Sequence, residues 1–298
     1  MVKYNYYPGC TLKTTGIELE RSALKVSPLL GFELVELPRW HCCGTIVSLS
    51  MDSKIYSLGA VRTLIRAQET GNPKLLTLCS MCYNTLLRIN DRFNNDSEFK
   101  DAVVQFMDEE PEYDGKVEIL HYVDILREIS PDAIRKAVIR PLNGLKVSAY
   151  YGCLLLRPKE FSVDPNPENP VELEKHIEAL GAEPVDNPYK IVCCGSYQSV
   201  NNPELVAGMV YDIVEGARQN DADAIITYCP LCHFNLDKFQ KLLMKMNPQF
   251  TPMPILYFTQ LMELAMVDKK PSWEKHHISP VALVDKVFGT KATTQPSP

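Results

Sequence analysis

All ten cysteines of this chain fall into two sets of five. The first set is Cys10, then Cys42-Cys43 after 31 residues, then Cys79-Ser80-Met81-Cys82 after 35 more. The second is Cys153, then Cys193-Cys194 after 39 residues, then Cys229-Pro230-Leu231-Cys232 after 34. Corresponding cysteines are offset by 143, 151, 151, 150 and 150 positions, the mark of a duplicated unit. The flanks repeat as well. Tyr7-Pro8-Gly9-Cys10 echoes Tyr151-Gly152-Cys153, and Asn84 follows Cys82 much as Asn235 follows Cys232.

A Cys-x-x-Cys pair alone suits zinc, a redox dithiol or an iron-sulfur cluster. The adjacent pair is more restrictive, because neighbouring side chains on an extended strand point to opposite faces. Both can reach one centre only where the chain turns sharply, and Gly44 and Gly195 supply the freedom for that turn. Structural zinc takes four ligands, and so does an ordinary cubane cluster. Five thiols per half therefore imply a cubane with a spare reactive thiol, or a cluster of unusual shape that uses all five. Zinc and dithiol chemistry stay open on spacing alone.

The elements that position these groups read as a repeated α/β unit. In the first half, strands are expected at 3–7, 32–37 and 74–78, with a helix over 12–30, a long amphipathic helix from Gly44 to about Gly71, and a helix starting near Cys82. Residues 119–129 read as a strand running into a helix. The second half repeats this with strands at 145–150, before Cys193, at 224–228 and at 255–257, and helices at 203–219 and after Cys232. Asn169-Pro170-Val171-Glu172 has the pattern of a capped helix start. Residues 280–289 read as a last short helix and 291–298 as a mobile tail. Each cysteine group falls where a strand hands over to a helix, the edge at which open α/β sheets bind ligands.

The expected fold is thus α/β and Rossmann-like: two pseudo-twofold-related repeats, residues 1–143 and 144–298, each a small open, mostly parallel sheet with flanking helices. Residues 94–118 carry nine acidic side chains against two lysines, and the second half has nothing of that length after Cys232. The segment reads as a solvated insertion, with a docking surface for a basic partner as the alternative.

A hydrophobic content of 45% and a charged content of 23% suit a soluble globular protein, and a net charge of −6 argues against nucleic acid. No apolar run approaches the ~20 residues of a membrane span, and no signal-peptide core opens the chain, so a cytoplasmic location is expected. A reducing cytoplasm disfavours structural disulfides and points the cysteines toward metal or redox chemistry.

The duplicated pattern around Cys42-Cys43-Gly44 and Cys193-Cys194-Gly195 resembles the cysteine-rich CCG domain family. With both halves complete, the chain resembles the B subunits of the CoB-CoM heterodisulfide reductases of methanogenic archaea. The resemblance implies two noncubane [4Fe-4S] clusters, one held by Cys10, Cys42, Cys43, Cys79 and Cys82, the other by Cys153, Cys193, Cys194, Cys229 and Cys232. It implies a catalytic subunit that reduces the CoM-S-S-CoB disulfide to coenzyme M and coenzyme B in methanogenesis, each cluster supplying one electron. The implied partners are a ferredoxin-like subunit carrying cubane [4Fe-4S] clusters, a flavin-containing subunit, and a hydrogenase or formate dehydrogenase. The same domain occurs in thiol-driven fumarate reductases and in lactate or glycolate oxidation subunits, where a non-catalytic electron relay is the alternative role. The chain lacks the Cys-x-x-Cys-x-x-Cys-x-x-x-Cys-Pro run of ferredoxins, so cubane clusters would belong to a partner.

Two protons are needed to split a disulfide, and His41 and His233 flank cluster cysteines as candidate donors. The plainer reading makes His41 a cap or a hydrogen-bond donor to sulfur, and His233 a surface residue of a first turn. Arg39, Arg157 and Lys159 are candidates for binding the substrate's anionic groups, or else ordinary surface charges. His276-His277 reads as a surface pair.

Overall fold

The computed structural model describes residues 1–45 and 54–289. Within the first half, β1 (Val2–Tyr7) lies between β2 (Phe32–Glu36) and β3 (Lys74–Thr77), with β4 (Glu118–His121) beyond β3. The second half repeats the order with β5 (Lys146–Ala149) between β6 (Glu183–Val185) and β7 (Ala224–Thr227), and β8 (Ile255–Tyr257) outermost. Every pairing is parallel. Parallel strands are covered by helices on both faces, which is why Leu75, Leu76, Val147, Ile225 and Ile226 are fully buried. In both sheets the chain leaves the first strand toward one edge and the third toward the other, so a crevice opens between them at their carboxyl ends.

Several elements differ from the sequence expectation. Among the described residues, the helix expected from Gly44 is observed over Leu58–Glu69, preceded by a 3-10 turn at Lys54–Ser57. Residues 46–53 of that expected helix, like the tail at 290–298, lie outside the described residues. The helix expected over 12–30 is broken into a turn at Gly9–Leu12, a helix Ile17–Val26 and a 3-10 turn Ser27–Leu30. The break is at Gly16, whose N–H bonds back to Thr11 O at 2.8 Å. The start at Asn169-Pro170 is also displaced: the helix is Glu172–Ala179, and Asn169 does not cap it. Instead the buried Asp164 carboxylate accepts from the N–H groups of Val171 and Glu172, at 2.7 and 3.0 Å.

The acidic segment is half core. Its helix Ser97–Phe106 buries Phe99 and Val103, and Met107, Tyr113 and Val117 are buried beyond it. Glu110 is held by Arg62 and Arg66, and Glu98 by Lys54. The second half has its own helix in the corresponding place, Gln240–Met246.

The two halves meet reciprocally. Helix Ile17–Val26 packs on helix Phe258–Met266, joined by Ser22 and Thr259 hydroxyls 2.6 Å apart and by the Lys25–Glu263 ion pair. Their counterparts in the repeat, Glu172–Ala179 and Tyr122–Ile129, also touch. The same exchange occurs near the cysteines. Past Cys82, Asn84 donates to Leu154 O at 3.0 Å, just beyond Cys153. Past Cys10, a Cβ on Gly16 would stand 3.1 Å from Pro230, the neighbour of Cys229. Contacts in which i meets j and j meets i are the signature of a twofold interface.

Candidate metal centre

The sulfurs converge because each motif ends a strand. Cys79 and Cys229 occupy the N-cap positions of helices Ser80–Asn95 and Pro230–Lys238, and each N–H donates to a threonine two residues earlier, Thr77 or Thr227, at 3.3 Å. Gly44 and Gly195, with φ of 71° and 77°, make the sharp turn directly after each cysteine pair. Gly9 and Gly152, with φ of 68° and 67°, let the backbone pass close to a sulfur: a Cβ there would stand 2.9 Å from Cys82 Sγ or 3.2 Å from Cys232 Sγ.

One sulfur pair has the same separation in both halves. Cys43 and Cys82 sulfurs are 3.5 Å apart, as are those of Cys194 and Cys232, while Cys10 and Cys42 are 3.8 Å apart. These separations exceed a disulfide bond of ~2.05 Å and suit ligands crowded on a shared core. Cys10 and Cys42 are exposed, Cys153 and Cys193 half-buried, and the other six are buried. In the second half, Gly195 N–H donates to Cys193 Sγ at 3.3 Å, and Asn235 Nδ2 donates to Cys194 O at 3.0 Å.

Crowding splits the thiols into unequal acids. Hydrogen bonds from Cys42 and Cys82 hold Cys43 well below the ordinary thiol value, and those from Cys153 and Cys194 pull Cys193 down to about 2. The proton-holding neighbours move the other way: Cys82 is raised well above by Cys43, and Cys194 is raised to about 12 by Cys193. Buried thiolates crowded against one another call for a cation. Soft sulfur donors select zinc, copper(I) or iron-sulfur clusters, so the residues fit an iron-sulfur centre chemically.

Other candidates are placed as follows. The His41 ring is exposed, and its carbonyl accepts from Tyr7 and Thr63. His233 is buried rather than on the surface: Nε2 lies 3.0 Å from Ile255 O, and the ring stacks on Tyr257 at 4.0 Å. Burial also keeps it neutral, well below the ordinary histidine value. His276 is not a surface residue either, since it sits edge-on to His233 and 2.9 Å from Gln260 Nε2. Arg39 pairs with Glu69 at 2.7 Å, Arg157 pairs with Glu168 at 2.5 Å, and Lys159 is exposed.

The seam holds features that motif spacing did not single out. A cavity of about 410 Å³ is lined by Thr14 and Thr15 from one half and by His233, Phe234, Asp237, Tyr257, Lys275 and His277 from the other. Tyr257 is pushed well above its ordinary value by burial and then by Cys229 and Cys79, one thiol from each set. The Tyr7 and Tyr150 hydroxyls donate to the carbonyls of His41 and Val192, the residues just before the cysteine pairs, at 2.8 and 2.6 Å. Their signal was the tyrosine pair before each Gly-Cys. The structure corrects the pairing, since Tyr7 corresponds to Tyr150 rather than Tyr151. Similarly, Asn235 has Thr85 rather than Asn84 at its place in the repeat, since each lies three residues past the last cysteine.

Fold and site together define a duplicated α/β protein with five cysteines grouped at the carboxyl edge of each sheet. The model of the cysteine-rich domain matches residues 4–87 and 147–237, and the chain belongs to this CCG family. Relatives span nearly its whole length. A protein of Archaeoglobus profundus described as like the B subunit of heterodisulfide reductase is 30% identical, over 89% of this chain and 91% of its own. The B subunit of the ferredoxin/F420H2-dependent CoB-CoM heterodisulfide reductase of Methanosarcina acetivorans is 29% identical, over 89% and 90%. The membrane anchor subunit of the 8-methylmenaquinol:fumarate reductase of Wolinella succinogenes is 29% identical, over 89% and 92%. Among solved structures, a hypothetical protein from Helicobacter pylori superposes with a TM-score of 0.66 at 13% identity, over 90% of this chain and 49% of that one, a likeness of fold alone. Among the described residues no helix is long and apolar enough to cross a membrane.

Proposed function

We propose that this chain is the disulfide-reducing subunit of a cytoplasmic heterodisulfide reductase, cleaving CoM-S-S-CoB to coenzyme M and coenzyme B. In this reading residues 1–143 and 144–298 each hold one noncubane [4Fe-4S] cluster on their five cysteines. The observation that carries it is the reciprocal seam, in which the flank of each cysteine set packs on the flank of the other. One disulfide lying between two centres is the arrangement such a seam favours.

The reaction breaks one S–S bond, takes up two electrons and two protons, and releases two thiols. When bound, iron-sulfur clusters supply electrons singly. The chain's own part is to bring the two cysteine flanks together at the seam, to bury six of the ten sulfurs beside Tyr7, Tyr150 and Tyr257, and to offer the cavity at Lys275 and His277 to an anionic arm of the substrate. Arg39, Arg157 and Lys159 stay candidates for the remaining anionic groups. His41, exposed beside the first pair, suits proton delivery better than the enclosed His233. Electrons would arrive from a ferredoxin-like partner with cubane clusters, while a flavin-containing partner and a hydrogenase or formate dehydrogenase complete the assembly.

A second reading follows from the fumarate reductase relative: an electron-relay protein whose chemistry is housed elsewhere. Two measurements separate them. With anaerobically purified protein, the catalytic reading expects an EPR spectrum of the oxidised clusters that changes on adding one thiol product, and loss of disulfide turnover in both Cys43→Ala and Cys194→Ala. An EPR spectrum indifferent to thiol would leave the relay standing, and full turnover in either variant would remove the two-cluster mechanism.

A further inference from the structure

The repeat preserves a tyrosine hydrogen bond that does not involve sulfur. Tyr7 and Tyr150 stand at the carboxyl ends of β1 and β5, both fully buried, and each hydroxyl donates to the carbonyl of the residue preceding a Cys-Cys pair. The residues that own those carbonyls, His41 and Val192, share no side-chain chemistry, so the repeat has kept the peptide oxygen and not the side chain. Burial alone does not create such a bond: Tyr228 is as buried, and its hydroxyl has no hydrogen-bond partner among the described residues.

The same tyrosine rings bear on the other cysteines. A Cβ on Gly9 would stand 3.6 Å from the Tyr7 ring, and one on Gly152 3.4 Å from the Tyr150 ring, on the glycines that skirt Cys82 and Cys232. One short unit in each half, tyrosine to Gly-Cys, thus supplies one thiol, leaves room for a second, and anchors the peptide from which the adjacent pair turns. Two neighbouring side chains reach one centre only if that peptide is held in a single orientation.

We propose that Tyr7 and Tyr150 are positioning residues for the paired cysteines, each hydroxyl fixing the peptide plane that sets the geometry of the metal centre in its own half. The proposal rests on the two sets being iron-sulfur sites. The halves differ in how much depends on the tyrosine. The His41 carbonyl also accepts from Thr63 at 3.0 Å, whereas Tyr150 is the side chain that holds the Val192 carbonyl. Removing the hydroxyl therefore disturbs the second half more.

The test is Tyr7→Phe and Tyr150→Phe in the full chain, purified without oxygen, with iron and sulfide content, EPR spectrum and midpoint potential measured for each cluster. Cys43→Ala and Cys194→Ala backgrounds assign the signals to the halves. The expected result is wild-type iron content, with a changed spectrum and potential only in the half whose tyrosine was altered, and a larger change for Tyr150→Phe. If Tyr150→Phe does not fold, Tyr7→Phe decides, because its carbonyl keeps the Thr63 bond. Clusters in Tyr7→Phe and Tyr150→Phe with wild-type spectra and potentials, or equal changes in both halves from either substitution, overturn the assignment. Wild-type protein without iron and sulfide overturns the cluster reading itself, and this proposal with it.

Discussion

Buried histidines give the folded chain a definite response to acid. Burial pulls His176 and His276 down to about 4 and His121 to about 3. An unfolded chain protonates these rings near ~6.5. As pH falls from about 6.5 toward 4 the unfolded state binds protons that the folded state refuses, so stability drops, by up to about 3 kcal/mol for each ring shifted by about 2.5 pH units. Asp237 opposes this: burial raises it to about 6, so the folded state takes its proton first and gains stability as pH falls through about 6. These rings, with His233 lowered as well, outweigh the raised carboxyls of Asp237 and Asp124, and the melting temperature should decline between pH 6.5 and 4.5. His176→Phe, which keeps an aromatic beside Phe258, should flatten that decline. An unchanged slope would remove His176 from the account.

Each element shows what sequence reasoning can and cannot reach. Capping chemistry at residues 169–172 looked local, yet the group that satisfies the helix start is Asp164, several residues upstream on a loop that folds back. Asp164→Ala should therefore cost about 2 kcal/mol in chemical denaturation, the upper range for a lost cap, because three backbone donors at Asn166, Val171 and Glu172 lose their acceptor. Asn169→Ala should cost a few tenths at most, and equal losses would restore the local reading. The strands and the ten cysteines were legible because periodicity and spacing are written along the chain. The burial of His233 and half-burial of His276 were not, since both are covered by residues distant in sequence, Tyr257 and Gln260. The acidic segment misled for the same reason: its charge is explicit, whereas the arginines that absorb it, Arg62 and Arg66, come from an earlier helix.

At the scale of the whole molecule, what matters is how firmly the two halves are pressed together at their cysteine flanks. Gly16 is the point at which this can be tested away from any sulfur. Its φ of −93° is open to any residue, so alanine carries no backbone penalty there. The added methyl would, however, meet Pro230 at 3.1 Å and Thr11 O at 3.3 Å, wedging the flank of Cys10 away from that of Cys229. Overpacking of this kind costs about 1–3 kcal/mol, which a folded two-lobed chain should tolerate. Misplacing reacting groups by about 1 Å can cost on the order of a hundredfold in rate. Gly16→Ala should therefore keep its iron and most of its stability while losing disulfide turnover far out of proportion to the drop in melting temperature. A relay needs only that electrons pass between the halves, so it predicts little change. Turnover that merely tracked the small loss of stability would mean that no substrate depends on the two centres facing each other.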